Sequence, residues 1–220
     1  MRNRSYWWVL CCLVGMGCDW MRPQLPPDSE SHGTIHISVD ETFKPIIDEQ
    51  IRVYEASYPQ TRIIAHYKPE AECLQDLMND STRLLIVTKK LTQAEAAFCY
   101  DSLKLYPQSG LLAYDAIALV VNRQARDSVF TLPQLTGLLK GSTGLPYTPL
   151  FDGLKATSTV RYAIDSLLQG QPLNAQKIAA ARSSRQVVEA VAANPGYLGF
   201  VGVSWIGNPE DTAQTRLLQQ

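Results

Sequence analysis

TIHISVDETFKPIIDEQIRVYEASYPQTRIIAHY, the stretch Thr34–Tyr67, decides the fold class. Ile35, Ile37 and Val39 alternate with polar residues, which is the period of a half-buried strand. DETFKP then ends the alternation. Phe43, Ile46, Ile47, Ile51 and Tyr54 recur at helical spacing as far as YPQ at Tyr58–Gln60. TRIIAHY, Thr61–Tyr67, returns to a strand pattern. Strand, helix and strand in such close succession make the unit from which parallel sheets are built.

The same alternation continues downstream. PEAECLQDLMND places Leu74, Leu77 and Met78 on one helical face, with Pro69 near its start. RLLIVT, Arg83–Thr88, is a nearly continuous apolar run and predicts a strand covered on both sides. Thr92 and Glu95 form a capping box that opens a helix. LLAYDAIALVVN, Leu111–Asn122, reads as a long apolar strand. TLPQLTGLLKG reads as a short helix with Pro133 in its first turn and Gly141 near its end. STVRYAIDSLLQG carries Val160, Ala163, Ile164, Leu167 and Leu168 on one stripe, closed by Gly170. SSRQVVEAVAANPG predicts a helix with Ser183 and Gln186 as a capping box. YLGFVGVSWI, Tyr197–Ile206, is the last clear strand.

Composition narrows the function. Of 220 residues, 45% are hydrophobic and 19% charged, so the chain folds rather than staying disordered. The net charge is −1 and no basic block occurs, so nucleic acid is not an expected partner. Any anion site must be assembled locally. Arg2 and Arg4 precede the apolar run YWWVLCCLVGMG, which is too short to span a bilayer as a helix. A basic start followed by a short apolar run reads as an export signal over residues 1–17. Gly17 before Cys18 resembles the lipobox of bacterial lipoproteins, although Gly15 stands where Leu is usual. That resemblance implies lipidation of Cys18; ordinary cleavage or an uncleaved anchor is the alternative. Residues 18–32, rich in Pro and polar groups, read as a tether. Cys73 and Cys99 then remain for the folded part, as one disulfide or as two buried thiols.

Three strand-to-helix junctions carry side chains suited to an anion. They are VDETFKP with Thr42 and Lys44, VTKKLT with Thr88, Lys89 and Lys90, and ATSTVRY with Thr157, Ser158, Thr159 and Arg161. Unpaired N–H groups at a helix start attract negative charge. Plain capping explains one hydroxyl at such a place, and three in a row exceed what a cap needs. His32, His36 and His66 lack carboxylate or Cys neighbours at ligand spacing, so neither a metal nor a cofactor is expected. LLKGSTG lacks the residue order of a phosphate-binding loop. No nucleophile–base pair can be assigned, Ser204 included, so an enzyme is not expected.

VDETFKPIIDEQIRVYE, AYDAIALVVN, FDGLKATSTVRY and NPGYLGFVGVSWI, in this order, resemble the solute-binding proteins of phosphate ABC importers, especially the bacterial lipoprotein versions. The resemblance runs from about Gly33 to Gly207. It implies a two-lobed α/β fold of the periplasmic-binding-protein type II class, with a cleft between lobes and crossing strands as the hinge. On that basis the first lobe is expected over 33–112, the second lobe with the hinge strands over 113–207, and a tail over 208–220. Thr42 and Phe43 match the first-lobe Thr-Phe that offers a hydroxyl and backbone N–H groups. Thr157, Ser158 and Thr159 match the second-lobe loop of small and hydroxyl residues. Lys89, beside Thr88, falls near a position lining the cleft, and Arg161 is a further donor.

The resemblance further implies capture of inorganic phosphate or a similar oxyanion, with a membrane importer as partner and the membrane engaged through a lipid anchor. A monomer is expected. Family members use one carboxylate to accept the proton of phosphate and so reject sulfate. Asp40, Glu41 and Glu70 are placed for that role, and the residues leave the choice open. The sequence departs from the pattern in two ways. KPEAEC brings Glu70 and Glu72 where Gly and Ser are common, and carboxylates facing a dianion repel it. The chain also stops at DTAQTRLLQQ, where relatives return to the first lobe, so an incomplete first lobe is expected. Both departures favour the alternative of a surface lipoprotein that keeps the fold as a sensor or interaction module without transport.

Overall fold

The computed structural model describes residues 29–79, 82–153 and 157–219. The expected export signal, Cys18 and most of the tether lie outside the described residues.

The first lobe is a parallel sheet of three strands, in the order β2-β1-β3. β1 (His32–Asp40) and β2 (Gln60–Lys68) pair in parallel along their whole length, Ile35 opposite Ile63 and Asp40 opposite Lys68. α1 (Lys44–Ser57) makes the crossover between them, with Pro45 in its first turn. Its apolar stripe and the sheet close one core around Ile37, Val39 and Ile47, flanked by Phe43, Ile51, Ile63 and Ile86. α2 (Glu70–Met78) leads to β3 (Leu84–Ile86), and α3 (Gln93–Leu103) follows with both halves of the Thr92–Glu95 capping box made.

The second lobe is a four-stranded sheet in the order β4-β7-β5-β6. Its strands are β4 (Ile117–Val121), β5 (Thr148–Phe151), β6 (Ala179–Ala180) and β7 (Tyr197–Gly202). β7 runs parallel to β5 and antiparallel to β4. Alternation along β7 feeds two cores. Leu198 and Phe200 face one with Leu135, Leu139 and Leu168, while Val201 faces the other with Val187, Val191 and Leu150. α4 (Leu132–Lys140) and α5 (Ser158–Tyr162) cover the first face, and α6 (Ser184–Ala193) and α7 (Thr212–Leu218) cover the second.

The structure corrects several expectations. β3 is an edge strand with Leu84 at 47% exposure, so the apolar run Arg83–Thr88 is not covered on both sides. Of Leu111–Asn122 only Ile117–Val121 is a strand, and Tyr114 before it is 91% exposed. The final strand ends at Gly202, because the chain turns into a 3-10 helix at Val203–Trp205. The helix opening at Ser158 passes into a π turn at Ala163–Leu167 before Gly170 closes it at φ +84°. Gln186 accepts from Arg182 N rather than Ser183 N, so only the Ser183 half of that capping box forms. Thr212–Leu218, expected in a tail, forms α7 and buries Leu217 in the second lobe. Of the two arrangements open to Cys73 and Cys99, the structure has the second, two buried free thiols.

Candidate functional site

β1 ends where it must turn away from the sheet, and Asp40 makes that turn. Its Oδ1 accepts from Thr42 N at 3.1 Å and caps the 3-10 turn Glu41–Phe43. The turn carries Thr42 toward the second lobe. There α5 opens with Thr157 as its cap, accepting from Val160 N at 3.3 Å. One hydroxyl caps the helix, leaving the next two free for other partners. Thr42 Oγ1 and Ser158 Oγ meet across the lobes at 3.1 Å. Thr159 Oγ1 donates to Asp152 Oδ1 and lies 3.1 Å from Thr157 Oγ1.

Further contacts join the lobes around this point. Ser204 Oγ donates to the Thr42 carbonyl. Ser184 donates to Glu41 Oε2 from its hydroxyl at 2.9 Å and its N–H at 3.3 Å. Arg161 Nε reaches Glu70 Oε2 at 2.7 Å, while Thr88 donates to Glu70 Oε1 from its N–H at 2.9 Å and its hydroxyl at 2.6 Å. Arg161 Nη2 also donates to Thr88 Oγ1. Gly202, at the end of β7, lets Thr42 come this close: a Cβ there would stand 2.2 Å from Thr42 Cγ2.

The site is buried and acidic. Asp40, Thr42, Glu70, Asp152, Thr157, Ser158, Thr159 and Ser184 are all buried. Burial pushes the Asp40 carboxyl up to about 6, against the opposing pull of Ser158 and Thr42. Burial likewise raises Glu41 and Asp152 above the ordinary carboxylate range. Glu70 goes the other way. Burial alone would raise it, but Arg161 and Thr88 outweigh that and hold it low. Asp40 Oδ2 is buried and makes no hydrogen bond among the described residues. Beside it a cavity of about 110 Å³ is lined by Asp40, Glu41, Asp152, Thr157, Lys68 and Arg182.

The structure thus brings together Asp40, Glu41, Thr42, Thr157, Ser158 and Thr159, with Thr88 and Arg161 beside them around Glu70. It sets Lys89 apart, where Nζ pairs with Glu95 at 2.8 Å. Phe43 packs into the first-lobe core. Glu72 is exposed, so of the two carboxylates in KPEAEC only Glu70 enters the cleft. Asp152, Ser184 and Arg182 were not singled out from the sequence. Asp152 stands in FDGLKATST next to the hydroxyl run, and that adjacency was the available signal.

The family model of the PBP superfamily domain matches residues 26–217. A search of curated proteins finds no match. Among solved structures, the chain is similar to a protein from Clostridium perfringens assigned as a phosphate ABC transporter substrate-binding protein, with bound phosphate. The TM-score is 0.66 at 14% identity, covering 79% of this chain and 72% of that one. It is similar to an ABC-type phosphate transport receptor from Vibrio cholerae, with TM-score 0.54 at 21% identity over 78% and 72%. It is similar as well to the reduced form of the OxyR2 regulatory domain from Vibrio vulnificus, with TM-score 0.57 at 15% identity over 83% and 77%. These likenesses bear out the two-lobed fold implied by the sequence resemblance. With the family model spanning nearly every described residue, the chain belongs to the PBP superfamily.

Proposed function

We propose that this protein is an exported solute-binding protein that captures hydrogen phosphate, or a similarly protonated oxyanion, in the cleft and delivers it to an ABC importer. One observation carries the reading. Asp40 Oδ2 is a buried acceptor without a partner among the described residues, at the place where Thr42 and Ser158 meet from opposite lobes. A P–OH group supplies the missing donor, and the hydroxyls supply donors to the remaining oxygens. Sulfate has no proton to offer at neutral pH. The bound phosphate of the Clostridium perfringens relative supports the same ligand class. In this reading the protein works as a monomer without catalysis, and lipid at Cys18 holds it at the outer face of the membrane. Among the described residues, no helix is long and apolar enough to cross a membrane.

A second reading has its own support. The protein's own side chains, Glu70 with Arg161 and Glu41 with Ser184, already bond the lobes together. A module closed by internal contacts suits a sensor or interaction role without transport. Thermal melting of the full chain with phosphate, sulfate or neither separates the two. A ligand at a hundred times its Kd adds about 2.7 kcal/mol of stability. A rise with phosphate alone supports capture; no rise at millimolar phosphate rejects it.

A further inference from the structure

We propose that Glu70 is a tethered stand-in for the ligand, a carboxylate that occupies oxyanion donors of the cleft until phosphate displaces it. This rests on the oxyanion reading and names what that ligand has to displace. Four donors converge on the one side chain. Arg161 Nε reaches Glu70 Oε2 at 2.7 Å, and Nη2 stands 3.4 Å from Oε1. Thr88 gives Oε1 its N–H at 2.9 Å and its hydroxyl at 2.6 Å. A forked guanidinium with a backbone N–H and a hydroxyl suits a phosphate group as well as a carboxylate. The donors come from both lobes, Thr88 after β3 and Arg161 on α5, so whichever anion they hold also holds the lobes together. Pro69, the residue before Glu70, lines the cavity of about 110 Å³ with Asp40, Asp152 and Thr157, which roots Glu70 at the wall of the ligand space.

Among the described residues, the other donors of the cleft do not replace this set. Thr42 and Ser158 bond each other, and Thr159 donates to Asp152. Lys68 is held to Asp76 at 2.6 Å, and Arg182 is exposed where it lines the cavity. Glu70 therefore holds the charged donor that an entering oxyanion needs. The exchange is open to solvent. Thr88 is exposed and Arg161 keeps 36% of its side chain in solvent, whereas the Glu70 side chain keeps 4%. An anion from outside thus reaches the guanidinium before Glu70 leaves it. The last guanidinium nitrogen, Nη1, is 3.4 Å from the exposed Asp165. Glu70 is the first residue of α2, where the unpaired N–H groups of the helix start still favour its charge once it swings out. Its hold on the donors lowers the apparent affinity of the cleft in proportion to the time that they are free.

Calorimetry on the full chain in detergent compares phosphate binding by the wild type, Glu70→Ala, Glu70→Gln and Glu72→Gln. Glu70→Ala is expected to bind phosphate about tenfold tighter than the wild type, the change for donors that Glu70 holds about nine-tenths of the time. Glu72 is the exposed carboxylate on the same helix. Glu72→Gln is expected to leave the affinity as it is, and measures the general effect of removing a negative charge. Excess sodium formate, a carboxylate free of the chain, is expected to compete with phosphate for Glu70→Ala. A carboxylate that only fastens the fold gives another pattern: its removal lowers the melting temperature without tightening phosphate binding, and formate does not compete. Equal or weaker phosphate binding by Glu70→Ala overturns the inference, as does an equal gain in Glu72→Gln or an absence of competition by formate. Wild-type binding of phosphate keeps the oxyanion reading standing in each of these cases. Binding by Glu70→Ala and not by the wild type supports the inference and rejects capture by the unaltered protein. No binding by any of the four proteins rejects both. Should Glu70→Ala fail to fold, Glu70→Gln, which keeps the shape and gives up the charge, decides by the same comparison with a smaller gain expected.

Discussion

Asp40 concentrates the electrostatics of the cleft in one side chain. Its carboxyl titrates at about 6 in the fold against an ordinary value of 3.8, because burial disfavours the charged form. The folded protein therefore holds a proton that the unfolded chain releases over that interval. Its contribution to stability is full below 3.8 and is lost as pH rises through about 6. Glu41 and Asp152 are raised by the same burial and act in the same direction. Glu70 is lowered, so what it contributes is lost on acidification instead. Ligand-free protein is thus expected to lose stability as pH climbs through about 6, and Asp40→Asn is expected to flatten that slope in urea titrations run across pH. A slope unchanged in the variant places the effect on other groups. Ser158→Ala makes a second test at this scale. It removes the partner of Thr42 Oγ1 inside a buried site. The expected cost is about 1–3 kcal/mol, together with weaker phosphate binding. Full retention of phosphate affinity rules Ser158 out as a donor.

At the scale of elements, the join between β7 and the turn after β1 depends on one missing methyl group. Gly202 has an ordinary backbone, φ −63° and ψ 140°, so Ala is not strained there by conformation. The obstacle is Thr42 Cγ2 at 2.2 Å from the added Cβ. Thr42 is buried and β-branched, so it cannot rotate away cheaply. Gly202→Ala is expected to cost about 1–3 kcal/mol by overpacking. Thr42→Ser, which removes Cγ2 and keeps the hydroxyl, is expected to restore most of that loss in the double variant. Chemical denaturation of the four proteins in the cycle measures it, and additivity of the two changes contradicts the direct contact. The same scale shows what periodicity could reveal. β1, α1 and β2 were legible because Ile35, Ile37, Val39, Ile47 and Ile51 keep the strand and helix periods over long runs. β6 has two residues and β5 has four, too few to display any period, and neither was foreseen. LLAYDA reads as strand because most of its residues are apolar, yet hydropathy does not tell an extended exposed segment from a paired one. The hydroxyls of Thr157–Thr159 were legible as an excess over capping. Asp152 and Ser184 were not, since only the folding of the second lobe brings them to Glu41.

At the scale of the whole molecule, the two lobes are held by polar contacts that cross the cleft, and the Glu70–Arg161 pair is the charged one among those described. Glu70 lies on α2 and Arg161 on α5, so the pair forms only when the lobes are together. Its two members are unequal. The Glu70 side chain is 4% exposed, whereas Arg161 keeps 36% of its side chain in solvent. Removing the guanidinium therefore strands a buried carboxylate, while removing both charges strands nothing. Arg161→Gln is expected to cost about 2–3 kcal/mol, below the range for fully buried pairs because solvent already screens one partner. Glu70→Gln with Arg161→Gln is expected to recover most of that stability, since two neutral amides can still hydrogen-bond with Thr88. The double variant also lacks the charge that draws the lobes shut. If closure by this pair competes with ligand entry, its association rate for phosphate is expected to exceed that of the wild type, with stability nearly matched. Stopped-flow mixing, read by tryptophan fluorescence to which Trp205 beside Ser204 contributes, follows that rate. Equal rates at matched stability make the pair a fastening of the fold alone, and a slower rate makes Arg161 part of the path by which the anion enters.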